Sequence, residues 1–133
     1  MDFYLDENIP IRIAMALNYL EGENRVHNIY STVEKFGAGV SDLDLFQDIA
    51  KTKGIFITND LKVAHKKDEA ELLRELSIGT FLINFRQGAS FWERVIMIMK
   101  NWVFIKETAK YYELKKLHFI CRIKITGKPE ITL

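Results

Sequence analysis

Three carboxylates stand where predicted strands give way to helices. Asp6 follows an apolar strand at residues 2–5, Asp42 begins a helix after a second short strand, and Asp60 follows the buried strand at residues 55–58. If these strands are parallel, all three turns lie along the carboxyl edge of one sheet, where open α/β sheets bind their ligands. We therefore expect the three acids to converge on one site.

Carboxylates that converge repel one another unless a proton or a cation compensates them. Hard oxygen donors select Mg²⁺ or Mn²⁺, which keep positions open for water and phosphate oxygens. Such ions activate water for attack on phosphorus. The pattern thus indicates a Mg²⁺ or Mn²⁺ site suited to displacement reactions at phosphorus. Each acid alone also fits a simple helix cap, and Asp42 fits this best because Ser41 is a suitable N-cap residue.

Other reaction chemistries have less support in the sequence. The three histidines, His27, His65 and His118, lack the spacing of zinc ligands. The chain contains no nucleophile-elbow, Walker or dinucleotide-binding pattern. The single cysteine, Cys121, lies in an apolar strand and is expected in the core. One cysteine excludes an internal disulfide and fits a reducing compartment.

The order of predicted elements indicates an α/β fold. Predicted strands cover residues 2–5, 29–33, 55–58, 81–83, 119–125 and 131–133. Predicted helices cover residues 10–21, 41–51, 62–76 and 90–110. This alternation predicts a doubly wound, mostly parallel sheet that ends in an antiparallel β-hairpin. A chain of 133 residues is expected to form one domain over residues 1–133.

Composition and charge bound the surroundings of the protein. With 48% hydrophobic and 28% charged residues the usage is that of a globular protein. No leader opens the chain and no apolar run reaches membrane-spanning length, so we expect a cytoplasmic protein without a membrane partner. Residues 1–99 are acidic in balance and residues 100–133 are basic. The basic excess indicates either a surface for a polyanion or an uneven but inert surface.

Several segments together resemble the PIN-like domains, including the VapC-type toxins of bacterial toxin–antitoxin systems. The main ones are FYLDENIP, FGAGVSDLDLFQDIA and GIFITNDLKV. Members of this family typically show a strand that ends in D-x-N or D-E-N before proline, a G-x-S/T-D helix start, and a strand that ends in T-x-D. The later segments KKDEAELLREL, TFLINF and HFICRIKITGKPEITL resemble the longer branch of the family, so the resemblance covers nearly the whole chain.

The resemblance implies a three-layer α/β/α fold and a metal-dependent endoribonuclease. By this analogy Asp6, Asp42 and Asp60 form the acidic triad that holds Mg²⁺ or Mn²⁺, and the substrate is RNA. Asn8 matches the family's amide, which orients a ligand or caps the helix, and Thr58 matches the polar, hydrogen-bonding residue before the third acid. The resemblance makes both residues candidates for binding the substrate. The resemblance also implies the toxin of a toxin–antitoxin pair, with a cognate antitoxin protein as partner.

Two basic residues are candidates for binding the phosphates of RNA. Arg12 lies in the first predicted helix, close in sequence to Asp6. Lys62 stands where many relatives carry a further Asp, two places after the third acid. Lys62 either binds the scissile phosphate or marks weakened metal binding. The alternative function is therefore a catalytically weakened PIN-like module that binds RNA or a protein partner.

The predicted helix at 90–110 is apolar around most of its circumference, from Phe91 and Trp92 to Ile105. Such a helix must be covered on more than one side. Either the sheet and the C-terminal hairpin cover it, or it forms a homodimer or antitoxin interface. The sequence leaves both explanations open.

A third hypothesis is a phosphoacceptor signalling domain. Receiver domains also carry acids after their first strand and an aspartate after their third, which here would be Asp60, and Lys128 stands near the end of the chain. This hypothesis gives Asp42 no role. It also places Lys128 in a terminal hairpin instead of a core strand, so the analogy is weak.

Overall fold

A computed structural model of the protein describes residues 1–23, 26–61 and 67–133. Its strands are β1 (Asp2–Leu5), β2 (Asn28–Ser31), β3 (Ile55–Thr58), β4 (Thr80–Ile83), β5 (Ile120–Ile123) and β6 (Glu130–Thr132). Its helices are α1 (Ile11–Glu21), α2 (Thr32–Phe36), α3 (Asp42–Lys51), α4 (Lys67–Glu75) and α5 (Phe91–Lys115). The order of these elements is that of a wound α/β protein.

The six strands form one sheet in the order β2-β1-β3-β4-β5-β6. β1 to β5 are parallel to their neighbours, and β6 pairs antiparallel with β5. The predicted α/β class, the mostly parallel sheet and the antiparallel C-terminal pair are therefore confirmed. Because the carboxyl ends of β1 to β5 meet at one edge, the loops that follow them lie together.

Side chains that alternate along the strands divide the core into two clusters. In β1, Phe3 and Leu5 point into one cluster and Tyr4 into the other. Helices α1 and α5 cover the first face of the sheet, whereas α3 and α4 cover the second. This arrangement confirms the three-layer α/β/α architecture. It also places α1 and α5 side by side, with both helices beginning at the carboxyl edge.

Two elements differ clearly from the prediction. The second strand ends at Ser31 and a short helix, α2, follows, where a strand to residue 33 was expected. Thr32 and Val33 are β-branched and favour strands, and five residues are too few to show helical periodicity. Helix α5 continues to Lys115, five residues beyond its predicted end. In the predicted helix at 62–76, residues 62–66 lie outside the described part of the chain.

The long helix α5 buries only one of its faces. Met97, Ile98 and Ile105 are buried against the sheet, while Trp92 and Ile96 are 68% and 60% exposed. Sheet and hairpin therefore do not cover the whole helix. Whether a second copy or an antitoxin covers the remaining face stays a prediction. Among the described residues no helix is long and apolar enough to cross a membrane.

The side chain of Asn18 forms hydrogen bonds with the outer edge of the sheet at β2. The Asn18 side-chain amide donates to the Ile29 carbonyl at 2.6 Å, and the Ile29 N–H donates to Asn18 Oδ1 at 2.9 Å. Since β2 is an outer strand, these backbone groups would otherwise be open to pairing with a further strand. Asn18 thus satisfies the edge from within the chain.

Replacing Asn18 with alanine should lower the free energy of unfolding by about 1–3 kcal/mol, because both Ile29 backbone groups lose their partner. Urea denaturation measures the change. Tyr19→Ala is the matched control, since Tyr19 is the next residue and is 88% exposed. An Asn18→Ala protein as stable as the control would show that the edge contact contributes nothing.

Candidate metal site at the carboxyl edge

The order of the sheet reverses next to β1. The chain moves from β1 to β2 on one side and then returns to place β3 on the other. A crevice opens at the carboxyl ends of the strands at such a switch point, and α/β proteins bind ligands there. Asp6 directly follows β1, and Thr58 ends β3. The Asp6 N–H donates to the Ile57 carbonyl at 2.9 Å, which extends the pairing of the two strands up to the acid.

A buried hydroxyl joins two of the predicted acids. Thr58 Oγ1 donates to Asp6 Oδ2 at 2.8 Å and accepts from the Asp60 N–H at 3.0 Å. The Glu7 N–H donates to the other Asp6 oxygen, Oδ1, at 2.8 Å. Thr58 is fully buried, so its hydroxyl holds both the Asp6 carboxylate and the turn that carries Asp60.

The surroundings of Asp6 disfavour its negative charge. Burial raises the pKa of the Asp6 carboxyl above its ordinary range, and the nearby carboxylates of Glu7 and Asp60 raise it further. The hydrogen bonds from Thr58 and from the Glu7 N–H oppose this change. A cation bound beside Asp6 would relieve the remaining cost of ionisation.

Asp42 reaches Asp6 from the other side of β1. It is the first residue of α3, whose N-cap Ser41 accepts a hydrogen bond from the Asp44 N–H at 3.2 Å. Gly37 and Gly39 adopt positive φ angles in the loop before it and turn the chain toward the site. Asp6 and Asp42 both line a small cavity of about 40 Å³. The predicted N-cap at Ser41 is thus confirmed, and these two acids lie beside the same cavity.

Asp6 is linked through the Thr58 hydroxyl to the backbone N–H of Asp60, and it lines the same cavity as Asp42. Over residues 1–23, 26–61 and 67–133, however, no three His, Cys, Asp or Glu side chains are grouped closely enough to hold a metal ion. The donors are all carboxylate oxygens, which suit Mg²⁺ or Mn²⁺. The chemistry of the donors therefore fits a hard cation, although the three acids are not gathered into one compact cluster.

Three of the four predicted substrate-binding residues are described, and they lie at this edge. Asn8 is exposed, and its carbonyl accepts from Arg94 Nη1 at 3.4 Å. Arg12 is exposed, and its guanidinium lies 4.2 Å from the centre of the Phe91 ring. The observed contacts of Thr58 are those to the two acids, and substrate binding by it stays a prediction. Lys62 lies outside the described residues.

Sequence reasoning missed Arg94, which fixes α5 to the turn that carries Asp6. Arg94 Nη1 bonds to Asn8, and its guanidinium lies 5.7 Å from the centre of the Phe85 ring. The two partners of the hydrogen bond are 86 residues apart. No local pattern marks this arginine, because its role depends on the packing of α5 beside α1.

Two other features of the structure lie away from this edge. Burial raises the pKa of the Cys121 thiol to about 12, which confirms the prediction that this cysteine belongs to the core. A larger cavity of about 700 Å³ lies at the opposite edge, beside Gly54, Gly79 and the end of α5. Asp6, Asp42 and Asp60 do not line it.

The fold and this edge define an α/β protein with paired acids at the switch point of its sheet. The sequence profile of the PIN-like domain family matches residues 1–84, more than half of the chain, and the protein therefore belongs to that family. Asp6, Asp42 and Asp60 all fall within the match. PIN-like domains are commonly nucleases and often bind nucleic acids. Neither the curated proteins nor the solved structures gave a match to the chain.

Asp6→Asn tests the electrostatics of the site through the pH dependence of stability. Because the pKa of Asp6 is raised in the folded state, the folded protein binds this proton more tightly than the unfolded chain. Ionisation of Asp6 therefore lowers stability as the pH rises above the ordinary carboxyl range. With EDTA present, the Tm of Asp6→Asn relative to wild type should increase between about pH 4 and pH 7.

Differential scanning calorimetry at several pH values measures this change. Asp44→Asn, which removes a carboxylate from an exposed position on α3, corrects for the change in net charge. A difference in Tm that stays constant or decreases over this pH range would contradict the raised pKa of Asp6.

Proposed function

We propose that this protein is a metal-dependent endoribonuclease in which Asp6, Asp42 and Asp60 hold Mg²⁺ or Mn²⁺. The observation that carries the proposal is the position of Asp6 at the switch point. There it is joined to Asp60 through Thr58 and shares a cavity with Asp42. Membership in a family whose domains are commonly nucleases supports a hydrolase. RNA is the substrate that the resemblance to the ribonucleases of this family implies.

The residues of the site have separate tasks in this proposal. When bound, the ion supplies an activated water and neutralises charge on the phosphate. The hydrogen bond from Thr58 fixes one oxygen of Asp6, and the Glu7 N–H fixes the other. The remaining lone pairs of these two Asp6 oxygens are available to a cation. Arg12 offers a guanidinium to a backbone phosphate at the same edge.

The activity depends on the acids in a way that single substitutions test. Asp6→Asn and Asp42→Asn should each reduce Mg²⁺- or Mn²⁺-dependent RNA cleavage by more than the roughly 10- to 100-fold typical of residues that only support a metal ligand. Asp44→Asn is the matched control, because it makes the same change one residue beyond Leu43 on the same helix and lies outside the shared cavity. Cleavage of a labelled single-stranded RNA is followed on gels.

Equal loss of activity in Asp44→Asn would contradict a specific role for Asp42. Wild-type protein that is inert toward RNA with both ions would overturn the nuclease proposal. If that inert protein still bound RNA or a protein partner, the weakened PIN-like module would be the better account. Lys62 stands where many relatives carry an Asp, and this difference favours the second function.

We propose further that the nuclease is the toxin of a toxin–antitoxin pair. This role rests on the resemblance to VapC-type toxins, and the exposed apolar face of α5 is a suitable surface for an antitoxin. In bacteria, induction of wild-type protein should arrest growth, whereas induction of Asp6→Asn should not. Normal growth with wild-type protein that cleaves RNA in the test tube would remove the toxin role and leave the nuclease.

A further inference from the structure

A cation and two aromatic rings form a ridge beside the acidic site. We define the ridge as Arg12, Phe91 and Trp92. Arg12 belongs to the first turn of α1, and the aromatic residues open α5. Both helices begin at the carboxyl edge of the sheet, and the Arg94 bond to Asn8 holds the start of α5 against the turn that follows Asp6. The ridge and the acids are therefore neighbours on one edge.

The flat face of the Arg12 guanidinium packs on an aromatic ring, and the N–H donors at its edge remain available. Its guanidinium stacks over the Phe91 ring at 4.2 Å, and within the described chain it donates no hydrogen bond and forms no ion pair. A guanidinium fixed in this way presents its N–H groups to an external acceptor with little loss of conformational freedom. Planar N–H donors suit a phosphate, so Arg12 is ready to bind a polyanion backbone.

The positive charge of a neighbouring arginine at the same edge is already compensated by a carboxylate. Arg86 Nε and Nη2 donate to the two carboxylate oxygens of Glu93, each at 2.8 Å. The hydrogen bond from Arg86 lowers the pKa of Glu93 to about 2, so the pair remains ionised at neutral pH. The charge of Arg86 is thus compensated, whereas that of Arg12 has no carboxylate partner among the described residues.

Trp92 supplies an exposed ring next to Phe91, the residue on which this cation stacks. Its side chain is 68% exposed, and its ring meets Phe91 edge-on with the ring centres 5.5 Å apart. Proteins that bind single-stranded nucleic acid combine cationic contacts to the backbone with aromatic rings on which bases stack. The pairing of Arg12 with Trp92 has both parts.

We propose that the ridge binds the nucleic-acid strand that flanks the cleavage site, with Arg12 on a backbone phosphate and Trp92 stacked on a base. This inference rests on the proposed nuclease function and adds residues that hold the substrate. A double-stranded RNA should bind less well, because its paired bases cannot reach Trp92.

The competing explanation is that Trp92 belongs to an apolar stripe for a protein partner. Ile96 and Val103 are also exposed on α5, at 60% and 61%. They lie roughly 6 Å and 16 Å farther along the helix, toward the opposite edge of the sheet. Trp92 lies at the start of α5, next to the Phe91 ring that carries Arg12. This position favours nucleic acid for the Trp92 ring, and Ile96 provides the control that separates the two explanations.

Binding is measured by fluorescence anisotropy in EDTA, with a labelled 12-nucleotide single-stranded RNA and Asp6→Asn as the parent protein, so that no cleavage occurs. Adding Trp92→Ala should weaken binding by at least about fivefold, the lower end of base stacking on an aromatic ring. Trp92→Phe should retain most of the affinity, and Ile96→Ala should bind like the parent.

Arg12→Ala should change the salt dependence of RNA binding. The slope of log K against log salt should become shallower by about 0.7, as expected for one lost phosphate contact on a single strand. Lys100→Ala, which removes an exposed charge from the middle of α5, should leave the slope unchanged. Trp92→Ala should also leave the slope unchanged, because stacking releases no counterions.

The inference is overturned if Trp92→Ala and Arg12→Ala bind like the parent, or if Ile96→Ala loses as much affinity as Trp92→Ala. A parent protein that binds no RNA at low salt overturns it as well. Its failure is separable from failure of the proposed function. If wild type cleaves RNA and both ridge variants bind RNA normally, only the role of the ridge is ruled out. If wild type is inert and the ridge variants lose binding, only the nuclease function is ruled out.

Discussion

The hydrogen bond from the Thr58 hydroxyl to Asp6 is the contact on which the candidate site depends. It connects the ends of two neighbouring strands, and the same oxygen receives the Asp60 N–H. A hydrogen bond to a charged group is worth about 1.5–3 kcal/mol, and here it opposes the burial and the negative neighbours that raise the pKa of Asp6. The Thr58 hydroxyl therefore fixes the orientation of the Asp6 carboxylate at the crevice and offsets part of the cost of its charge.

The order of the sheet decides which residues can meet there. Because β2 and β3 flank β1, the chain approaches Asp6 from both sides. The loop after α2 delivers Asp42, and the turn after β3 delivers Asp60. The same topology sets α1 beside α5, so that Arg12 stacks on Phe91 at the edge that carries the acids. One arrangement of strands thus produces an acidic crevice with a basic and aromatic border.

Much of this arrangement could be predicted from the sequence, because it follows from local patterns. Apolar strands that end in Asp6 and Asp60 lead to a common edge in any parallel sheet. Other features depend on tertiary packing. Helix α2 begins with two β-branched residues that favour a strand. Arg94 and Asn18 bind backbone groups that lie 86 and 11 residues away in sequence. Nothing in the periodicity of a helix shows which distant backbone group its polar side chain will reach.

We propose that Asp6, Asp42 and Asp60 bind one divalent metal ion, and paramagnetic broadening by Mn²⁺ in ¹H–¹⁵N NMR spectra shows residue by residue where such an ion binds. Substoichiometric Mn²⁺ should broaden the amide signals of Glu7, Asp42 and Asp60 before all others. Asp6→Asn should abolish this selective broadening. Selective broadening around other carboxylates, or none at the carboxyl edge, would contradict the account.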